Sequence, residues 1–206
     1  MNYKIIKRFL DFIFAFLLII LLIPLFLIIG ILIKISSKGS IIYTQKRIGK
    51  NNTSFSCYKF RTMHPQSKYL LKKILIKNKD FKNQFSKTRK IINDPRITRI
   101  GKFLRFSSLD ELPQIFNVLI GDMSFIGPRP IVKSEIKKYG KEFGKVFSIK
   151  PGISGLWQVS GRNNLSYDKR VELDINYSEN INFLLDIKIF IRTIVVILFP
   201  FGKGAS

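Results

Sequence analysis

The only adjacent acidic pair in the chain is Asp110-Glu111, within Arg105-Phe106-Ser107-Ser108-Leu109-Asp110-Glu111-Leu112-Pro113. Proline is tolerated only in the first turn of a helix, so Pro113 predicts a helix starting near Asp110, with both carboxylates at its N-terminus. That end of a helix also favours phosphate. Neighbouring helical residues face different ways, so the two acids would have different tasks. Helix capping is the plain alternative, since Ser108-x-x-Glu111 fits a capping box. The basic surroundings point elsewhere: carboxylates among Arg and Lys stay ionised and can bind Mg²⁺, which prefers hard oxygen ligands and substrate phosphates. One cysteine, Cys57, and one histidine, His64, exclude a disulfide framework, a His-rich metal site and most His-based triads. Any metal must sit on oxygen. Both of these single residues read as structural.

Two loops carry further candidates. Gly121-Asp122-Met123-Ser124-Phe125-Ile126-Gly127-Pro128-Arg129-Pro130 is stiffened by two prolines, and Arg129 between them presents a pre-positioned guanidinium to a phosphate or a planar base. Lys150-Pro151-Gly152-Ile153-Ser154-Gly155-Leu156-Trp157-Gln158-Val159-Ser160-Gly161-Arg162-Asn163 joins small residues, the only Trp and another Arg. Each loop alone reads equally as an ordinary turn. Neither resembles a Walker loop, a dinucleotide fingerprint or a zinc site.

The elements that must position these residues are short. Ile41–Thr44 and Phe55–Phe60 read as strands around the turn-like Gly49-Lys50-Asn51-Asn52. His64–Asn93 is Lys-rich and reads as helix plus loop at a membrane surface, or as a solvated charged face. Leu109–Leu119 and Pro130–Tyr139 read as short helices, and Ser166 caps a helix running to about Tyr177. Leu184–Phe199 is apolar but interrupted by Asp186, Lys188 and Arg192, which suits an interfacial or core helix rather than a span.

The N-terminus is different. Phe12–Ile33 is 22 residues without a charge, all Phe, Leu or Ile apart from Ala15, Pro24 and Gly30. At ~1.5 Å per residue this reaches roughly 33 Å, enough to cross a bilayer core. A buried core helix would need a large protein around it, and the run is too long for a cleaved signal peptide. Lys4, Lys7 and Arg8 precede it; Lys34, Lys38, Lys46, Arg47 and Lys50 follow it. The positive-inside rule pulls both ends to the cytoplasm. A re-entrant, monotopic hairpin kinked at Pro24 satisfies both ends, and a single bent span satisfies one. The expected division is an anchor over 1–36 and a membrane-surface catalytic domain over 37–206. The expected class is α+β, mainly helical, with short strands and interfacial amphipathic helices.

Composition agrees. Of 206 residues, 36 are Lys or Arg and 13 Asp or Glu, a formal charge of +23. Twenty of the basic residues fall between Lys34 and Arg105, against two acids, Asp80 and Asp94. That balance excludes an acidic tail and names three partner classes: nucleic acid, anionic lipid and phosphorylated substrates.

In order, Tyr58-Lys59-Phe60-Arg61-Thr62-Met63, Asp94-Pro95-Arg96-Ile97-Thr98, Ser108-Leu109-Asp110-Glu111-Leu112-Pro113-Gln114, Gly121-Asp122-Met123-Ser124, Gly127-Pro128-Arg129-Pro130 and Lys150-Pro151-Gly152-Ile153-Ser154-Gly155 resemble the bacterial sugar transferases, the monotopic phosphoglycosyl transferases that start glycan assembly. The resemblance runs over nearly the whole chain, in the small form of the family that carries the catalytic module alone. It implies transfer of a sugar-1-phosphate from a UDP-sugar to undecaprenyl phosphate, with UMP released and Mg²⁺ beside the diphosphate. It implies Asp110 as nucleophile and Glu111 as its dyad partner, both near the metal. Arg105 and Arg162 become candidates for the substrate's phosphates, Pro128, Arg129 and Pro130 for its nucleotide side, and Lys59 for substrate binding. Arg8 becomes a membrane-facing polar contact and Pro24 the break of the anchor. The family commonly breaks that helix at Ser-Pro; here the pair is Ile23-Pro24, so the hydroxyl that would satisfy freed backbone groups is missing. The implied location is the cytosolic face of the bacterial inner membrane, with anionic lipid as partner, no nucleic acid, and a homo-oligomer or glycosyltransferase partners left open. Two rivals remain: a basic nucleic-acid-binding protein, and a non-catalytic membrane scaffold. Neither explains the acidic dyad together with the arginines.

Overall fold

The computed structural model describes residues 3–88, 91 and 93–199. The ends of the expected Lys-rich stretch at 89, 90 and 92, and the terminus from 200 onward, lie outside the described residues. In chain order the elements are α1 (Tyr3–Ser36), β1 (Ile42–Ile48), β2 (Ser54–Phe60), α2 (Ser67–Lys77), α3 (Lys79–Thr88), α4 (Arg99–Phe106), α5 (Gln114–Ile120), β3 (Ser124–Ile126), α6 (Phe143–Val146), β4 (Gly152–Ser154), α7 (Leu156–Ser160), α8 (Tyr167–Glu179) and α9 (Phe183–Leu198), joined by 3₁₀ turns. The fold is mainly helical with short strands, as expected.

α1 is one continuous 34-residue helix with Pro24 inside it. Its inward residues are Asp11, Ala15, Leu18, Ile19, Leu22, Leu25, Phe26, Ile29 and Ile33, a three-and-four spacing that makes one stripe. The stripe packs on the rest of the molecule on both sides of Pro24. Ala15 joins Phe55, Cys57, Ile115, Val118 and Met123, while Ile29 and Ile33 join Phe60 and Leu104. The opposite face leaves Phe9, Phe12, Phe16, Ile20, Ile23, Leu27 and Ile31 exposed. The N-terminal end is held by polar groups. Arg8 donates to the Val118 and Leu119 carbonyls at 2.6 and 2.9 Å. Tyr3 and Lys7 both donate to Asp186 of α9 at 2.5 Å. At the other end Arg61 donates to the Ser37 and Lys38 carbonyls.

β1 and β2 form an antiparallel hairpin in the register Ile42↔Phe60 to Ile48↔Ser54. Asn51 and Asn52 take positive φ in its turn, which asparagine tolerates better than most residues. The expected first strand stopped at Thr44; it continues to Ile48, because Gln45 and Arg47 turn inward where the sequence suggests only polar loop. β3 and β4 form a second, parallel pair, Ser124↔Gly152 and Ile126↔Ser154. The strands approach so closely that a Cβ on Gly152 would sit 2.1 Å from the Gly127 nitrogen. Fully buried Asn117 fastens α5 to β2: its Oδ1 accepts from the Tyr58 N–H at 3.0 Å and its Nδ2 donates to the Ser56 carbonyl at 2.8 Å.

Candidate active site

The predicted helix over Leu109–Leu119 is two pieces. Leu109–Glu111 is a 3₁₀ turn, and α5 starts only at Gln114, behind Pro113. Ser108 sits at φ 58, in the left-handed region, and its side chain caps nothing. The capping-box reading therefore fails: Ser108 makes no capping hydrogen bond and lies in the left-handed region, not the extended one that capping residues usually take. Leu109 and Leu112, on either side of the acids, anchor the turn by packing in the cluster that holds Leu25, Phe26, Ile29 and Ile33 of α1. The acids thus ride on a turn seated against the middle of the apolar helix. The predicted helix after Pro130 is likewise a 3₁₀ stretch, Lys133–Lys138, whereas Ser166 accepts from the Lys169 N–H and caps α8 as expected.

Glu111 is the centre of a cation cluster. Lys59, from β2, donates to its Oε1 at 2.5 Å. Burial pushes the Glu111 carboxyl up, but Lys59, Arg129 and Arg47 together outweigh it and hold it below the usual carboxylate range. Arg162 is also within electrostatic reach of Glu111; its own burial lowers its proton affinity and Glu111 opposes that. Asp110 goes the other way. Burial first, then the neighbouring Glu111 charge, push its carboxyl up to about 6, against the pull of Lys59 and Arg105. Two adjacent carboxylates with separated proton affinities are a common sign of divided chemical roles. Arg105 is held by Thr62, whose hydroxyl accepts from its Nε at 3.0 Å.

Glu111 and Lys59 open into a narrow cleft with Arg47, Cys57, Gln114, Arg129, Pro130, Gly152, Ile153 and Gln158. Arg47 donates to the Pro130 carbonyl at 3.1 Å and so ties the Pro-Arg-Pro loop to β1. The Arg129 guanidinium lies 5.5 Å from the Trp157 ring centroid, and Arg170 stacks on the same ring at 4.9 Å. Pro128 is fully buried beneath them.

Of the sequence-predicted residues, Asp110, Glu111, Lys59, Arg105, Arg129, Pro130 and Arg162 converge on one region by contact, shared cleft or charge. Arg8 and Pro24 do not: Arg8 turns onto the end of α5 rather than outward, and Pro24 lies inside α1. Sequence reasoning missed Arg47, Gln114, Gln158 and Arg170. Arg47 reads from sequence as one of the basic residues flanking the apolar segment; Tyr43–Ile48 shows no apolar alternation, so no local signal turns it inward.

Asp110 and Glu111 are the two carboxylates that could face a cation here; among the described residues no group of three or more His, Cys, Asp and Glu side chains converges. A two-carboxylate donor set suits Mg²⁺, which keeps several waters and completes its shell with substrate phosphates.

Residues 2–200 match the model of the bacterial sugar transferase family, and the chain belongs to that family. It is 44% identical over 195 residues to an uncharacterised sugar transferase of Haemophilus influenzae, covering 95% of this chain and 41% of that protein. It is 42% identical over 197 residues to the exopolysaccharide production protein ExoY of Rhizobium meliloti, covering 96% and 87%. It is 42% identical over 196 residues to the undecaprenyl-phosphate galactose phosphotransferase of Salmonella typhimurium, covering 95% and 41%. The chain thus spans less than half of two of these relatives and most of the third.

Proposed function

We propose that this chain is a phosphoglycosyl transferase, moving a sugar-1-phosphate from a UDP-sugar to undecaprenyl phosphate at the cytosolic face of the bacterial inner membrane. The observation that carries the reading is the dyad itself: one carboxylate locked to Lys59 inside a ring of arginines, the other beside it with a raised proton affinity and no side-chain hydrogen bond among the described residues. The relative named as an undecaprenyl-phosphate galactose phosphotransferase supports the same chemistry.

In this reading Asp110 is ionised at neutral pH. An oxygen of its carboxylate attacks the sugar-proximal phosphorus, and the bond from that phosphorus to the bridging diphosphate oxygen breaks. UMP leaves, and the sugar phosphate remains on Asp110 as an acyl phosphate. An oxygen of the lipid phosphate then attacks the same phosphorus and frees the carboxylate. Lys59, Arg47, Arg129, Arg162 and Arg105 offset the repulsion between anionic nucleophile, donor and acceptor. Glu111, fixed by Lys59, orients the turn. Bound Mg²⁺, held by Asp110 and Glu111, would neutralise charge on the diphosphate.

The acceptor lives in the bilayer, so the site must meet it there. α1 is read as a monotopic, re-entrant anchor. Support comes from its two ends: Arg8 on α5 and the Ser37 region on Arg61 are held by the same charged body, which cannot lie on both sides of a membrane. The exposed face of α1 and the exposed Ile187, Ile191, Ile194 and Leu198 of α9 supply apolar surface, and the lysines of α2 and α3 favour anionic lipid. In a Cys57→Ser background, cysteines placed at 2 and 45 should label from the same side; opposite sides would replace the re-entrant anchor by a span.

The direct test is UMP release in nanodiscs with undecaprenyl phosphate, Mg²⁺ and a panel of UDP-sugars. Release that is lost in Asp110→Asn and with EDTA supports the reading. Strongly salt-dependent RNA binding without UMP release would favour the nucleic-acid alternative instead.

A further inference from the structure

The cleft beside Glu111 is rich in cations, yet two of its side chains are uncharged carboxamides. Gln158, on α7, has an Oε1 enclosed by protein and without any hydrogen-bond partner, while its Nε2 reaches the Ile153 carbonyl only at 3.4 Å. Turning the amide over would exchange the two atoms and leave a donor unpaired instead. Gln114 lines the same cleft and is 3% exposed. It stands three residues beyond Glu111, at the start of α5. A buried amide oxygen without a partner, as at Gln158, is uncommon, because enclosure removes its water and returns nothing.

The neighbourhood explains why the Gln158 oxygen is left so. Gly155 faces Gln158: a Cβ there would lie 2.7 Å from Oε1 and 2.2 Å from the Gly127 carbonyl oxygen, so only glycine leaves this amide its place. Arg47, Lys59 and Arg129 answer the negative charge of a diphosphate. They can donate to the hydroxyl oxygens of a sugar, but they cannot accept from its hydroxyl protons. Glu111 is already committed to Lys59. Among the side chains lining the cleft, the free neutral acceptor is Gln158, with Gln114 close to the reacting end.

We infer that Gln158, assisted by Gln114, recognises hydroxyl groups of the transferred sugar and sets which UDP-sugar the enzyme prefers. The inference rests on the proposed transfer reaction. A site built to hydrogen-bond a hydroxyl rejects an analogue lacking it far more strongly than an apolar pocket can, because its own polar group is then stranded.

The experiment compares wild type, Gln158→Met and Gln114→Met in nanodiscs, with thermal melting as the control for folding. Two quantities are read: kcat/KM for each member of a UDP-hexose panel, including 4-epimers and N-acetyl forms, and inhibition by UMP. The expected result is that the ratio between the preferred sugar and its worst-tolerated epimer falls at least tenfold in Gln158→Met, with UMP inhibition unchanged within about twofold. If Gln158→Met does not fold, the same loss of discrimination is required of Gln114→Met. Unchanged sugar ratios, or a loss of UMP affinity in their place, overturn the inference. Failure of wild type to release UMP from any UDP-sugar would instead strike the transfer reaction itself, so the two failures are distinct.

Discussion

Asp110→Asn should make the protein inactive and more stable at once. The carboxyl is pushed from an ordinary 3.8 up to about 6, by burial first and by the Glu111 charge second. The sign follows from linkage. A raised acid binds its proton more tightly in the folded state, so its contribution is favourable below pH 3.8 and is lost as pH rises through about 6. Above that, the charged Asp110 is a standing cost. At ~1.4 kcal/mol per pH unit, the separation sets a ceiling of about 3 kcal/mol. Asp110 is half-buried, and water reaching it reduces this to about 1–2 kcal/mol. For a chain of this size that corresponds to a Tm rise of roughly 2–8 °C. The assay is thermal melting of wild type and Asp110→Asn in the same detergent, at pH 7.5 and at pH 4.5. The rise should be present at pH 7.5 and shrink markedly at pH 4.5. A variant no more stable than wild type at pH 7.5, or a gain equal at both pH values, would refute the electrostatic account of the dyad.

Three further outcomes follow from the same geometry. The rate of UMP release should fall below about pH 6, approaching tenfold per pH unit as Asp110 takes up its proton; a rate flat down to pH 5 contradicts an ionised nucleophile. Lys59→Met leaves Glu111 half-buried without its main partner, so melting should show a loss of about 1–3 kcal/mol and transfer should drop at least tenfold. Arg8→Ala strips donors from two carbonyls at the end of α5, and should cost about 1–3 kcal/mol while leaving the KM for the donor within twofold in the folded fraction.

Much of the site was legible because its residues cluster in short motifs whose types carry chemistry on their own: a lone acidic pair, an arginine between prolines, glycines flanking a single tryptophan. The hairpin, the Ser166 cap and the last amphipathic helix were legible for local reasons of turn chemistry, capping and period. What escaped reading depends on tertiary contacts. Ser108 offers a hydroxyl three residues before Glu111, yet its left-handed backbone, set by the packing of Leu109 and Leu112 on α1, removes it from capping. Arg47 reads as one more basic residue near a membrane segment until β1 is seen to run on and point it at the Pro130 carbonyl. Gln114 and Gln158 carry no sequence signal of their own; their place in the cleft, and the unpartnered oxygen of Gln158, are visible only once the cleft is assembled. The stripe on α1 was hidden by uniformity: when every residue is Leu, Ile or Phe, periodicity cannot show which face packs.

The central claim is that Asp110 carries the sugar phosphate covalently. It is tested most directly by mixing enzyme with UDP-sugar and Mg²⁺ in the absence of any lipid acceptor. The account predicts a rapid burst of UMP approaching one per enzyme molecule, with a hexose-phosphate mass increase on the peptide containing Asp110, both absent in Asp110→Asn. No UMP until undecaprenyl phosphate is added, and an unmodified Asp110 peptide, would contradict it.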